Sequence, residues 1–106
     1  MHSKISVDNR NKTAVMLMQS LWGSISPNFR MVAFSLFDQG LNLLFVLEVD
    51  DPLDREEIED ICAEFDALQD SGSAKFEVEV VVDSRSLAWP DDSWIVVFRR
   101  RESIRP

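Results

Sequence analysis

The chain has one cysteine and one histidine in 106 residues. Cys62 alone excludes an internal disulfide, and His2, next to the N-terminus, is poorly placed for catalysis. There is no glycine-rich phosphate loop, no Ser/His or Cys/His pairing outside the N-terminal tail, and no metal-type Cys/His spacing. The acid pairs Asp50-Asp51 and Asp91-Asp92 lack the alternating ligands and the glycine of a calcium loop. No metal or cofactor is therefore expected. No apolar run reaches the roughly 18 residues that span a bilayer. Residues 1–13 are polar and carry no apolar signal region, so the expectation is a cytoplasmic protein. There is no internal repeat and no low-complexity linker. A chain of this length makes one domain, 1–106, with flexible tails at 1–7 and 102–106, and buries enough surface for one two-layer core.

What the chain does have is acid in one place. Between Glu48 and Asp70 lie eleven carboxylates and one base, Arg55, a formal charge of −10. The whole chain carries −8, so everything outside that segment sums to +2. A focused field of one sign steers partners of the opposite sign and repels nucleic acid and anionic membranes. A basic protein is the simplest partner for it.

The hydrophobic pattern predicts six elements. A first helix, capped by Asp8 or Asn11, runs to about Trp22, with Gly23 in the left-handed position that follows a helix end. Residues 14–18 are nearly all apolar, and Leu21 and Trp22 continue the stripe, so this helix is expected to be largely buried. Residues 30–37 and 41–49 are β-rich runs joined by Asp38-Gln39-Gly40, a hairpin signal. The second run carries Leu43, Phe45 and Leu47 on one face and Leu44 and Val46 among polar residues on the other, which suggests a central strand. The second helix has Asp51 as N-cap, Pro52 at its first position, and Ile58, Ile61, Cys62, Phe65 and Leu68 at the helical period, and it ends at Ser71-Gly72-Ser73. Residues 76–82 alternate as a strand, 84–93 form a loop, and 94–100 form the last strand. The order αββαββ predicts an α+β two-layer sandwich: a four-stranded antiparallel sheet, built from two hairpins, with both helices packed on one face.

The far side of the second helix carries Glu56, Asp60, Ala63 and Ala67, flanked by Glu57, Glu59, Glu64 and Asp70. Acids in the first turn suit the helix dipole. Glu56–Asp60 and Asp60–Glu64 are like charges at i,i+4, each costing about 0.2–0.5 kcal/mol. Two readings of this face stand side by side: a solubilising surface, or a docking surface for a basic partner. Ala63 and Ala67 permit close approach, or are simply good helix formers. Trp22 and Trp94 read as packing residues. Trp89, in a loop with Pro90, Asp91 and Asp92, has the composition of an interface hot spot, or folds back on the sheet. Arg99, Arg100 and Arg101 alternate across the last strand. They break up any nucleic-acid patch and suit a charge-protected edge or ion pairing with the acidic segment. Cys62 falls on the buried stripe and reads as an inert core residue.

The stretch Gly23-Ser24-Ile25-Ser26-Pro27-Asn28-Phe29-Arg30-Met31-Val32 resembles the end of the first helix and start of the first strand in bacterial immunity proteins of contact-dependent growth inhibition systems. The resemblance runs through the hairpin, the acidic helix and Phe98-Arg99-Arg100-Arg101-Glu102, covering residues 14–102. It implies a small, cytoplasmic, non-enzymatic protein that binds and blocks the toxin domain of a cognate effector, commonly a nuclease. It supplies no contact residues, because these differ among members. Within the run, Pro27 sets the start of the strand and Arg30 is placed to pair with an acid. The combined expectation is a toxin inhibitor whose partner-binding residues are Asp50, Asp51, Asp54, Glu56, Glu57, Asp60 and Glu64, with Trp89, Asp91 and Asp92 as a second contact. On this reading the acids mimic the phosphates that a nuclease cleft binds. A general nucleic-acid mimic and a small carboxylate enzyme are the rival expectations. The oligomeric state is open.

Overall fold

A computed structural model describes residues 7–37, 40–69 and 75–102. The elements are α1 (Val7–Leu21), β1 (Phe29–Phe37), β2 (Gly40–Leu47), α2 (Pro52–Leu68), β3 (Lys75–Val82) and β4 (Ile95–Arg99). The αββαββ order is as expected. α1 begins before both Asp8 and Asn11, so neither caps it. Gly23 has the expected positive φ, 81°. The turn residues Asp38 and Gln39, the helix stop at 71–73, most of the N-terminal tail and residues 103–106 lie outside the described residues.

The sheet differs from the expectation. Its strand order is β3-β2-β1-β4. β1 pairs antiparallel with β2 as a hairpin, Phe37 opposite Gly40, and antiparallel with β4. β3 pairs parallel with β2, from Gly40 opposite Lys75 to Leu47 opposite Val82. The sheet is therefore mixed, and the second hairpin does not form: β3 and β4 are its two edges. The reason is length. A 17-residue helix rises about 25 Å, close to the roughly 26 Å of an eight-residue strand. α2 thus carries the chain back to the end of the sheet where β2 began, and β3 starts there in the same direction. The central position of β2 is as its two apolar faces suggested.

Both helices pack on one face. The core joins Leu17 and Leu21 of α1 to Ile58, Ile61 and Phe65 of α2 over Val32, Phe34, Leu43, Phe45 and Leu47 of the sheet. Edge-to-face ring pairs tie Phe29 to Phe45 and Phe65 to Phe76. The alternation of each strand turns Met31, Ala33 and Val46 to the opposite face, yet these are buried too. The segment 83–94 crosses that face on its way from one edge to the other. Asp83 N–H bonds Leu47 O, Leu87 O accepts from Arg99, and Trp94 shares a small recess with Asn42, Glu77 and Glu79.

Two register irregularities mark β1. An extra residue, Arg30, lies between the Phe29–Leu47 and Met31–Val46 pairs, and another, Val97, lies in β4. Such bulges re-aim side chains. Among the described residues, no helix is long and apolar enough to cross a membrane.

Candidate functional site

α2 starts where the sequence places it. Asp51 is extended and its carboxylate accepts from the N–H groups of Leu53 and Asp54, at 2.8 and 3.4 Å, while Pro52 takes the first helical turn. A cap of this kind stabilises a helix by about 1 kcal/mol. Asp54 then turns inward and is only 7% exposed. Its carboxylate accepts from Asn28 Nδ2 at 2.8 Å, and the same amide bonds both Val49 O and Val49 N–H. One asparagine thus fixes the approach to β1, the exit of β2 and the start of α2.

The acids of the segment divide into two groups. Glu48 pairs with Arg100 at 2.9 Å, and Asp50 pairs with Arg55 at 2.6 Å. With Asp51 as cap and Asp54 buried, these four acids hold structure. The next six, Glu56, Glu57, Glu59, Asp60, Glu64 and Asp66, have no ion pair among the described residues, and all but the half-buried Glu57 are exposed. Three of them line a groove of about 400 Å³ between α2 and the connector at residues 23–26. Leu53 lines it as well and is 73% exposed.

Trp22 immediately precedes Gly23, which forms part of the wall of this groove. The expectation that Trp22 is a packing residue is corrected: it is 86% exposed, the most exposed large apolar side chain among the described residues. Leu17 and Leu21 turn into the core, and the roughly 100° step per residue swings Trp22 outward with Val15 and Met18. A helical wheel finds this signal, because Val15, Met18 and Trp22 share the arc opposite Leu17. An unbroken apolar run hides it.

Trp89, Asp91 and Asp92 lie elsewhere. Trp89 is 65% exposed, and its ring stacks on the Arg99 guanidinium, 4.6 Å from the ring centroid. The Asp91 carboxylate accepts from Ser93 N–H and Ser93 Oγ, at 2.9 and 2.5 Å, and these bonds hold its pKa below the ordinary value. Asp92 lines a shallow recess with Arg10, Leu36 and Ser93. Leu36 and Ile95 mark the end of the sheet remote from the start of α2. The structure therefore does not join this loop to the acidic groove.

Arg30 and Arg100 are committed to internal ion pairs, while Arg99 stacks on Trp89 and donates to Leu87 O. Arg30, 3% exposed, pairs with Glu102 at 2.9 Å and donates to Asp83 O. Arg100 bridges Glu48 and Glu102 and donates to Pro27 O at 2.7 Å. The hydrogen bond from Arg30, reinforced by Arg100, pulls the Glu102 pKa down to about 2. Arg30 thus pairs with an acid as expected, and β4 is a charged edge strand. Cys62 is partly buried, and desolvation, with Glu59 nearby, pushes its thiol up to about 11, which makes it a poor nucleophile. Among the described residues, no three His, Cys, Asp or Glu side chains gather to hold a metal ion.

A family model of MafI2 immunity proteins matches residues 10–102. The chain belongs to the MafI2 immunity protein family. The match spans nearly the same residues as the resemblance to immunity proteins seen in the sequence. No curated protein matches the chain significantly. Family membership implies a cognate toxin as the partner of this immunity protein.

Proposed function

We propose that this immunity protein neutralises a basic toxin domain, a nuclease, by seating the acidic face of α2 over the toxin's cationic cleft. It works by binding, without turnover, in the cytoplasm. The observation that carries this reading is the run of six carboxylates from Glu56 to Asp66 on one helix, none of them in an ion pair among the described residues. Their mutual repulsion works against the helix, and a basic partner relieves it. Glu56, Glu57, Asp60 and Glu64 make the contact. Asp50, Asp51 and Asp54 add to the field while serving the fold. Trp89, Asp91 and Asp92 are a second, separate contact, used by a toxin that reaches round the sheet. A stable interface takes about 800 Å² from each partner, which the helix and its groove can supply.

Titration calorimetry against the toxin domain encoded beside this gene, at two salt concentrations, tests the proposal. A tight complex that weakens with salt, and weakens again in the Asp60→Lys/Glu64→Lys variant, supports it. Unchanged affinity and salt dependence in that variant eliminate the acidic face as the contact. Equal binding to several unrelated basic proteins would instead identify a general nucleic-acid mimic.

A further inference from the structure

From Thr13 to Trp22 the chain carries no charged residue. Within that stretch α1 turns Thr13, Leu17, Ser20 and Leu21 inward and leaves Val15 and Met18 exposed at 49% and 46%, with Trp22, the next residue after the helix, at 86%. Spaced i, i+3 and i+7, these three form one outward stripe. Its last member is followed directly by Gly23, which lines the groove together with Glu56, Glu57 and Asp60. The inner face of α1 is already satisfied by the core, and the stripe is not part of that cluster.

We propose that the outer face of α1 is the apolar centre of the toxin interface, with Trp22 as its anchor and the acidic groove as its charged flank. This rests on the reading of the protein as an inhibitor of a basic toxin and adds the surface that holds the complex together. The occupant follows from charge. A second copy packed on this stripe would bring two −10 segments together at close range, whereas a cationic partner gains from the same geometry. Interfaces place aromatic anchors at a desolvated centre and charge at the rim. A tryptophan buries roughly 150–250 Å², more than any other side chain on this face.

The two parts act on different rate constants. Rim charges set the association rate and its salt dependence, while a buried anchor sets dissociation. The experiment is stopped-flow and surface-binding kinetics of the full chain against the toxin domain encoded beside this gene. It compares wild type, Trp22→Ala, Met18→Ser and Glu56→Lys/Asp60→Lys at low and physiological salt. Trp22→Ala is expected to raise the dissociation rate roughly 30-fold or more with its salt dependence unchanged, and Met18→Ser to raise it less. The charge reversal is expected to slow association and flatten its salt dependence. Because Trp22 lies outside the core, its variant should melt with the wild type, which separates lost contact from lost fold. If Trp22→Ala leaves dissociation unchanged while the charge reversal weakens binding, the anchor is overturned and the acidic-face reading survives. If the reverse holds, the acidic-face reading fails and the anchor stands. If wild type sediments as a dimer that Trp22→Ala splits, with toxin binding intact, the stripe belongs to a second copy and the proposal is overturned.

Discussion

The two helices lie side by side on one face of the same sheet and bury similar residues. α1 inserts Leu17 and Leu21, and α2 inserts Ile58, Ile61 and Phe65. Outward, they have nothing in common. α1 shows Val15 and Met18, with Trp22 just past its end and no charge from Thr13 onward, and α2 shows six carboxylates with no ion pair among the described residues. Inner faces are dictated by the fold, which asks only for apolar volume at the helical period. Outer faces are free, so a systematic choice on one of them records a demand made by something outside the chain. Here two adjacent helices make two different choices, apolar on α1 and acidic on α2, and Gly23, two residues past the end of α1, lines the groove with Glu56, Glu57 and Asp60 of α2.

The largest effect should come from showing that the inner faces are equivalent. Phe65→Ala should cost about 3–5 kcal/mol and Leu17→Ala about 2–5 kcal/mol, because each leaves a cavity in the same fully buried cluster. Urea denaturation of both variants measures this. A Leu17→Ala cost below about 1 kcal/mol would make α1 a peripheral attachment, and the contrast of outer surfaces would lose its common base.

A smaller effect separates acids that serve the fold from acids that do not. Glu102 is partnered by Arg30 and Arg100, and its pKa falls from 4.5 to about 2 in the folded state. A carboxyl whose folded pKa is lowered stabilises the fold fully above its unfolded value, and that contribution disappears as pH falls through the folded value. Asp83, held down by Arg85 to about 2, adds in the same direction. The wild type should therefore lose stability between about pH 4.5 and 2. Glu102→Gln should be less stable at neutral pH and flatter across that window. Denaturation curves taken through the pH series check this, and parallel profiles for the two proteins would show that the C-terminal network does not hold the fold.

Local chemistry made α2 and the first hairpin legible from sequence. Asp51 and Pro52 start the helix, Gly23 ends α1, and the two apolar faces of β2 place it centrally. The parallel β2–β3 pairing was legible only by matching the length of α2 to that of a strand, since the alternation in β3 is the same for either direction. The burial of Met31, Ala33 and Val46 on the face away from the helices depends on a loop path that no local pattern encodes. At the site, the acidic run was visible as composition, but its division was not. Asp54 turns inward because Asn28, distant in sequence, waits for it, and Glu48 is claimed by Arg100. Trp22 was obscured by its apolar neighbours, which continue the stripe in sequence while the helix turns it to the opposite side.

The smallest predicted change in stability has an unusual sign, and it tests the contrast most directly. Asp60 has Glu56 and Glu64 one helical turn away on either side. Asp60→Lys converts two repulsive i,i+4 pairs into attractive ones, each of about 0.2–0.5 kcal/mol. The variant should be more stable than wild type by roughly 0.8–2 kcal/mol, a rise in Tm of about 4–10 °C for a domain of this size, measurable by calorimetry. The same change should slow toxin association. A side chain whose replacement strengthens the fold and weakens the complex is present for the complex. If Asp60→Lys leaves Tm unchanged or lower, the acidic face carries no cost to the fold, and the inference from α2's outer surface to a basic partner loses its energetic basis.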